Sequence, residues 1–212
     1  MKALNDKIFT HYFPTIFPQK NVSKPQFIHI HRFGEDVILV MPNFPYLGQK
    51  CFPTMGRIAE LIDSLNLKAH PEGGYYSETF RDAESVETKN GSRSLATSIY
   101  FLLSSHNVSK FHSIAGQEIW FHHEGSPLTV HVLTESGYQR LKVGPVGLEG
   151  SQPQVLVPEG SIFGSTVDGE NSYALVSCTV VPGFDFADFR MYSAEELLEK
   201  WPEHEALICR LT

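Results

Sequence analysis

From residue 94 onward, short runs of alternating or continuous apolar residues recur between turn signals. The runs at 94–103, 117–123, 127–134, 138–142, 153–157 and 172–181 have the length and side-chain alternation of strands. Short strands at regular intervals predict an antiparallel sandwich or barrel, so the expected fold class is all-β. Helical spacing occurs in two places. Ile58, Leu61, Ile62 and Leu65 predict an amphipathic helix over 55–66 with Thr54 near its N-cap. Ser193 and Glu196 form a capping-box pattern ahead of Leu197, Leu198 and Trp201, which predicts a helix over 193–201. Residues 70–82 are punctuated by Pro71, Gly73 and Gly74 and then alternate as a strand does.

The first 53 residues differ from the rest. Pro14, Pro18, Pro25, Pro42, Pro45 and Pro53 forbid long helices there, and 26–33 and 36–41 are short strand candidates. The expected organisation is an N-terminal extension, 1–53, packed on a barrel domain, 54–212.

Composition narrows the picture. Of 212 residues, 42% are hydrophobic, enough to bury a real core without disulfides. The net charge of -7 and the lack of a basic stripe argue against nucleic-acid binding. Apolar runs such as 37–41 and 99–103 are too short to cross a bilayer, so no membrane role is expected. Cys51, Cys178 and Cys209 are unclustered, and the N-terminus lacks a leader pattern; together they point to a reducing, cytoplasmic setting. Nucleophile-elbow, P-loop and dinucleotide fingerprints are absent, which weighs against common hydrolase, NTPase and dehydrogenase classes.

The densest chemistry lies in HSIAGQEIWFHHEGSPL, 112–128. On a strand through 117–123, Glu118, Trp120 and His122 point one way, and Ile119, Phe121 and His123 the other. A glutamate beside a tryptophan inside a small barrel would be desolvated, which raises its pKa and suits acid–base work. His112 could reach the same cavity if the chain folds back at Gly116. The residues alone leave three readings open: a metal site, an acid–base pair, or polar groups on a sheet surface.

His112, Glu118 and Gly125 resemble the first cupin motif, with Ile114 at the position of its second histidine. Pro158, Gly160 and Phe163 resemble the second motif, with Phe163 at the position of its last histidine. The blocks HPEGGYYSETFRD, TSIYFLL, FHSIAGQEIWFHHEGSPL and CTVVPGFDFADF, spread over about residues 57–205, are together similar to the cupin-5 family, domain of unknown function 985. That resemblance implies a jelly-roll cupin barrel, a homodimer, and a small-molecule pocket at the first-motif glutamate, without an agreed reaction. It departs from the family at Ser113, where an arginine is common, and at Phe163-Gly164, where tryptophan and glutamine are common. Two of four usual ligands are missing, so the expected cofactor is none, with a weakly bound divalent metal on His112 and Glu118 as the alternative.

His29, His31 and Glu35 also show metal-cupin ligand spacing, but no glycine follows at the right distance and two such histidines arise easily on one strand face. Tyr76 and Glu78 share a strand face and could enter the barrel, with the phenol as a proton donor. Glu78 and Arg81 form a salt bridge or, alternatively, bind an anionic ligand group. Tyr100 and His131 are further lumen candidates. Cys178 reads as packing, and the aromatics of 182–189 as core or dimer contacts, with Asp185 and Asp188 in turns or caps.

The first functional expectation is a carbohydrate or nucleotide-sugar epimerase or isomerase working by metal-independent proton transfer. His112 is the base, Glu118 orients it or acts as acid, Tyr76 is a second donor, and Trp120 stacks on the ligand. The alternatives are a non-catalytic binder using His112 and Glu118 as anchors, and a metal-dependent enzyme.

Overall fold

Side-chain alternation along the strands sorts residues onto an inner and an outer face, and two antiparallel sheets meet over the inner ones. The architecture comes from a computed structural model that describes residues 54–212 and the backbone of 29–33 and 36–40. The chain divides after Lys50, and each part is described by itself. In the first part, β1 (His29–Phe33) and β2 (Asp36–Val40) pair antiparallel, with His29 opposite Val40. The side chains of His29 and His31, Glu35, and the rest of the expected 1–53 extension lie outside the described residues.

The second part begins with α1 (Thr54–Ser64), then β3 (Lys68–Ala69), β4 (Tyr75–Arg81), β5 (Ser85–Thr88), β6 (Gly91–Ser94) and β7 (Thr97–Ser104). There follow β8 (Ser109–Ser113), β9 (Gln117–Gly125), β10 (Leu128–Thr134), β11 (Gly137–Val143) and β12 (Gln154–Val157). The chain ends with β13 (Ile162–Val167), β14 (Tyr173–Val181), β15 (Arg190–Met191), α2 (Ala194–Leu198) and α3 (Glu205–Arg210). One sheet has the order β12-β9-β14-β7-β4-β3, the other β11-β10-β13-β8-β15. Strands β5 and β6 form a separate hairpin. The all-β fold expected from the strand spacing is the fold found, in the jelly-roll form that the family resemblance implied.

Phe101, Leu103, Trp120, Val130, Phe163 and Val176 are buried between the two sheets as one core. Outside the five-stranded sheet, Phe111 and Leu133 pack on Leu197, Trp201 and Ile208 of the C-terminal segment. Outside the six-stranded sheet, Leu102 and Leu175 meet Leu61 of α1. All three helices therefore bury apolar residues and are held by packing more than by propensity. Helix α1 is also pinned by Arg57, whose guanidinium makes two 2.7 Å bonds to Glu124, which in turn accepts from the Tyr173 hydroxyl at 2.5 Å. The Ser193–Glu196 capping box forms as expected, with both reciprocal bonds present.

Two irregularities decide what faces inward. On β8, Lys110 and Phe111 stand between the pairs Ser109–Ser165 and His112–Phe163, whereas β13 has only Gly164 there. This β-bulge breaks the alternation, so Ser109 and His112, three residues apart, both turn inward. On β9 the register shifts at His123, which sends Glu124 to the outer face beneath α1. No helix among the described residues is long and apolar enough to cross a membrane.

Candidate functional site

The turn at 70–74 starts the site. Gly73 N–H donates to the His70 carbonyl, and His70 N–H to that of Gly74. Gly73 has φ +114°, and a Cβ there would lie 2.1 Å from the Val108 carbonyl oxygen. Only glycine lets this turn press against the β7–β8 connection. The result is that His70 and Glu72 enter the barrel mouth.

There they line a cavity of about 380 Å³ with Tyr76, Glu78, Arg81, His112, Glu118, Trp120 and Cys178, closed by Phe184, Phe186 and Phe189. Six of the eight residues singled out from the sequence, His112, Glu118, Tyr76, Glu78, Arg81 and Trp120, thus share one cavity. The other two do not. Tyr100 lies on the outer face of β7, packed with the α1 cluster and edge-on to His123. His131 lies on the outer face of β10, where its two ring nitrogens meet the Tyr138 hydroxyl at 2.7 Å and the Thr166 hydroxyl at 2.9 Å. Both expectations of a lumen position are corrected by strand parity: Tyr100 flanks the inward Phe101, and His131 flanks the inward Val130 and Val132.

His112 is fixed in one tautomer. Its Nδ1 lies 2.7 Å from the Lys110 carbonyl oxygen, which only accepts, so Nδ1 carries the proton. Its Nε2 lies 3.1 Å from Glu72 Oε2. The Glu72 carboxyl also accepts from Ser109 Oγ at 2.9 Å, and His70 Nδ1 is 3.5 Å from Oε2. Burial lowers the pKa of His112 and of His70, and raises Glu72 to about 7. With the imidazole neutral and Nδ1 protonated, Nε2 is the free acceptor nitrogen and faces the Glu72 carboxyl.

Glu118 is also pushed up to about 7, first by burial, then by the nearby Glu72 charge. Trp120 N–H favours its ionised form but does not reach it in hydrogen-bond geometry; the indole Nε1 has no partner among the described residues. The Trp120 ring is 2% exposed and lies edge-on to Phe101. At that exposure the ring has almost no free face to offer a ligand, which weighs against the expected stacking platform. The Cys178 thiol is held neutral by burial and by Glu118. Tyr76 stands edge-on to His70, with ring centroids 4.6 Å apart, and Lys68 Nζ sits 4.9 Å from its ring centroid. At the mouth, Arg81 binds Glu78 at 3.0 and 2.6 Å and the Phe184 carbonyl oxygen at 3.1 Å. Asp185 caps a short turn of helix, as expected, whereas Asp188 pairs with Arg93 of β6.

His70 and Glu72 were not singled out from the sequence. The available signal was two titratable residues directly before a Gly-Gly turn, which marks a tight approach but not its target.

The positions where a cupin metal centre would add ligands are apolar here. Ile114 lines the cavity, and the Phe163 ring packs on His112 at 4.3 Å between centroids. Among the described residues, no three His, Cys, Asp or Glu side chains are grouped to hold a metal ion. The donor set does not fit a tightly coordinated divalent metal.

Two facing antiparallel sheets that enclose a polar cavity between them define the cupin class of β-barrel. This chain belongs to a particular branch of it: the family profile described as Cupin superfamily (DUF985) matches residues 59–192. It is 31% identical over 158 residues to an uncharacterized protein of Saccharomyces cerevisiae, covering 67% of this chain and 78% of the yeast protein. A hypothetical protein from Leishmania major has a similar structure, with 39% identity and a TM-score of 0.69 over 73% of this chain and 97% of that one. A protein from Shewanella oneidensis matches at 38% identity and a TM-score of 0.67, covering 72% and 95%.

Proposed function

We propose that the barrel binds a small polar ligand, a carbohydrate or the sugar part of a nucleotide-sugar, and moves a proton on it by epimerase or isomerase chemistry without a metal. The observation that carries this reading is the convergence of His70, Glu72, His112 and Glu118 in one cavity, with both carboxyls raised to about 7. Groups that hold protons loosely near neutral pH are what general acid–base transfer requires. A volume of about 380 Å³ is at the small end of ligand sites and accommodates one sugar ring.

In this reading His112 takes the proton next to a ligand carbonyl through Nε2. For this step Glu72 is ionised and the Nε2 lone pair is free; the Nδ1–H stays anchored on Lys110, and the carboxylate beside Nε2 stabilises the imidazolium that forms. Orientation of His112, first expected of Glu118, falls to Lys110 and Glu72, which leaves Glu118 as the acid on the other side of the ligand. Tyr76, across the cavity beside His70, is the second donor.

The test is solvent exchange. Full-length protein is incubated in D2O with a panel of nucleotide-sugars and free ketoses, and deuterium at the carbon next to the carbonyl is read by NMR. Exchange that His112→Asn abolishes supports the reading. A panel in which nothing exchanges or epimerises ends it.

A further inference from the structure

A second cavity, of about 190 Å³, adjoins the first and is lined in part by Lys89, Asn90 and Glu159. Four residues line both cavities and so stand between them: Ile114, Val180, Phe184 and Asp185. Three of the four are apolar. Ile114 and Val180 are buried in the main core. Phe184 is half-buried on the connection after β14, and its ring packs on those of Phe186 and Phe189, at 5.0 and 6.2 Å between centroids. That connection is tied down on both sides of the ring. Gly183 N–H donates to the Ser94 carbonyl oxygen at 2.7 Å, and Phe184 N–H to Thr97 Oγ1 at 2.9 Å. The Phe184 carbonyl oxygen accepts from Arg81 at 3.1 Å, and Asp188 accepts from Arg93 at 2.7 and 3.0 Å and from Asn90 at 2.9 Å. A wall anchored to β4, β6 and β7 in this way excludes by clash, because swinging it aside breaks several hydrogen bonds together.

We propose that Phe184 is a specificity-determining residue: its ring excludes a second sugar ring attached on the side of the ligand that faces the adjoining cavity. This role rests on the carbohydrate reading and deepens it, since it fixes which position of the bound sugar must stay unsubstituted. The first cavity, of about 380 Å³, accommodates one ring, and the second adds about half as much room again. Lys89, Asn90 and Glu159 offer that room both donors and acceptors for ring hydroxyls. What keeps a second ring out is thus the apolar partition and not the chemistry behind it. Cutting back Ile114 or Val180 would leave a hole in the core. Phe184 can lose its ring with its anchors intact, because its own bonds to Thr97 and Arg81 come from main-chain atoms. A substituent that leaves by the open mouth, as the nucleotide of a nucleotide-sugar must, does not meet this wall.

Fructose and the ketose disaccharides lactulose, turanose and isomaltulose, which carry their second ring at different positions of the fructose unit, are the probes. Each is titrated at neutral pH into full-length protein labelled with nitrogen-15, and affinities are read from amide shifts. Wild type is expected to bind at least one disaccharide at least about tenfold more weakly than fructose, and Phe184→Ala to bring that one to within about threefold. Ala115 lines the second cavity and not the first, so adding Ala115→Phe fills the new room and should cancel the gain. Should Phe184→Ala fail to fold, Phe184→Leu, which shortens the wall and keeps it apolar, is held to the same comparison. A Phe184 variant that gains no disaccharide overturns the proposal. So does a gain that Ala115→Phe leaves intact, or a wild type that binds all three disaccharides as well as fructose. In each of these cases fructose binding leaves the carbohydrate reading standing. If none of the sugars binds wild type or variant, the carbohydrate reading fails and takes the role of Phe184 with it.

Discussion

Glu72 Oε2 lies 3.1 Å from His112 Nε2, although one residue comes from the turn before β4 and the other from β8 on the opposite sheet. The contact joins the two sheets across the open end of the barrel. It also adds a group to the site: beside the motif glutamate, the cupin-motif histidine has a carboxyl delivered by a glycine turn.

The first prediction concerns Glu118 and pH. Burial holds its folded pKa at about 7, above the ordinary 4.5 of an exposed glutamate. As pH rises the unfolded chain therefore ionises first, and the fold loses stability between about 4.5 and 7. Glu118→Gln mimics the protonated side chain and removes this loss. Thermal melts should show the variant more stable than wild type at pH 8, with the gap closing toward pH 4.5. A variant less stable than wild type at pH 8 contradicts the burial argument.

His131 should behave as a structural residue. Its pKa is lowered to about 4, mainly by burial, so the unfolded state takes up the proton first as pH falls. The stability it protects is present above 6.5 and lost between 6.5 and 4. His131→Leu should remove that acid sensitivity. It should also cost roughly 1–3 kcal/mol by stranding Tyr138 and Thr166, while leaving ligand binding in the cavity unchanged. Melts and titrations of the same preparation check both halves.

Gly73→Ala places a Cβ 2.1 Å from the Val108 oxygen at φ +114°. The turn must give way, drawing Glu72 from His112. We expect roughly 2–4 kcal/mol lower stability and loss of exchange activity. The control substitution Gly56→Ala, in the exposed start of α1 with nothing near its added Cβ, should keep both.

Restoring the missing imidazoles should create a metal site. The double substitution Ile114→His and Phe163→His puts two further nitrogens near His112 and Glu118. Added zinc or nickel should raise the melting temperature of the double variant clearly more than that of wild type. Equal responses would show that those two positions do not converge with His112.

Much of the barrel was legible in the chain. The runs at 117–123, 127–134 and 172–181 each correspond to a strand, because a half-buried strand must alternate and its turn must carry glycine or proline. The capping box at Ser193 was equally local. Helix α3 was not anticipated; its burial of Ile208 answers to Phe111 and Leu133, which are distant in sequence.

The site was legible in part, and the misses have definite causes. Trp120 was correctly set on the face of Glu118, but how much of an indole stays open depends on what packs against it from other strands, here Phe101, and only 2% does. Tyr100 and His131 required the absolute parity of β7 and β10, which alternation alone leaves ambiguous by one residue. Ser109 and His112 share a face only because β8 bulges, a feature with no signature in five residues of sequence.

By itself the sequence determined the strand-rich architecture, the family, and the imidazole and carboxyl of the first motif, because period-two burial and motif spacing are local properties of the chain. Tertiary structure alone decided that His70 and Glu72 join them, that the Phe163 ring packs directly on His112, and that Trp120 is closed into the core. Those facts follow from which strands face one another and how closely a glycine turn can approach, and long-range packing sets both.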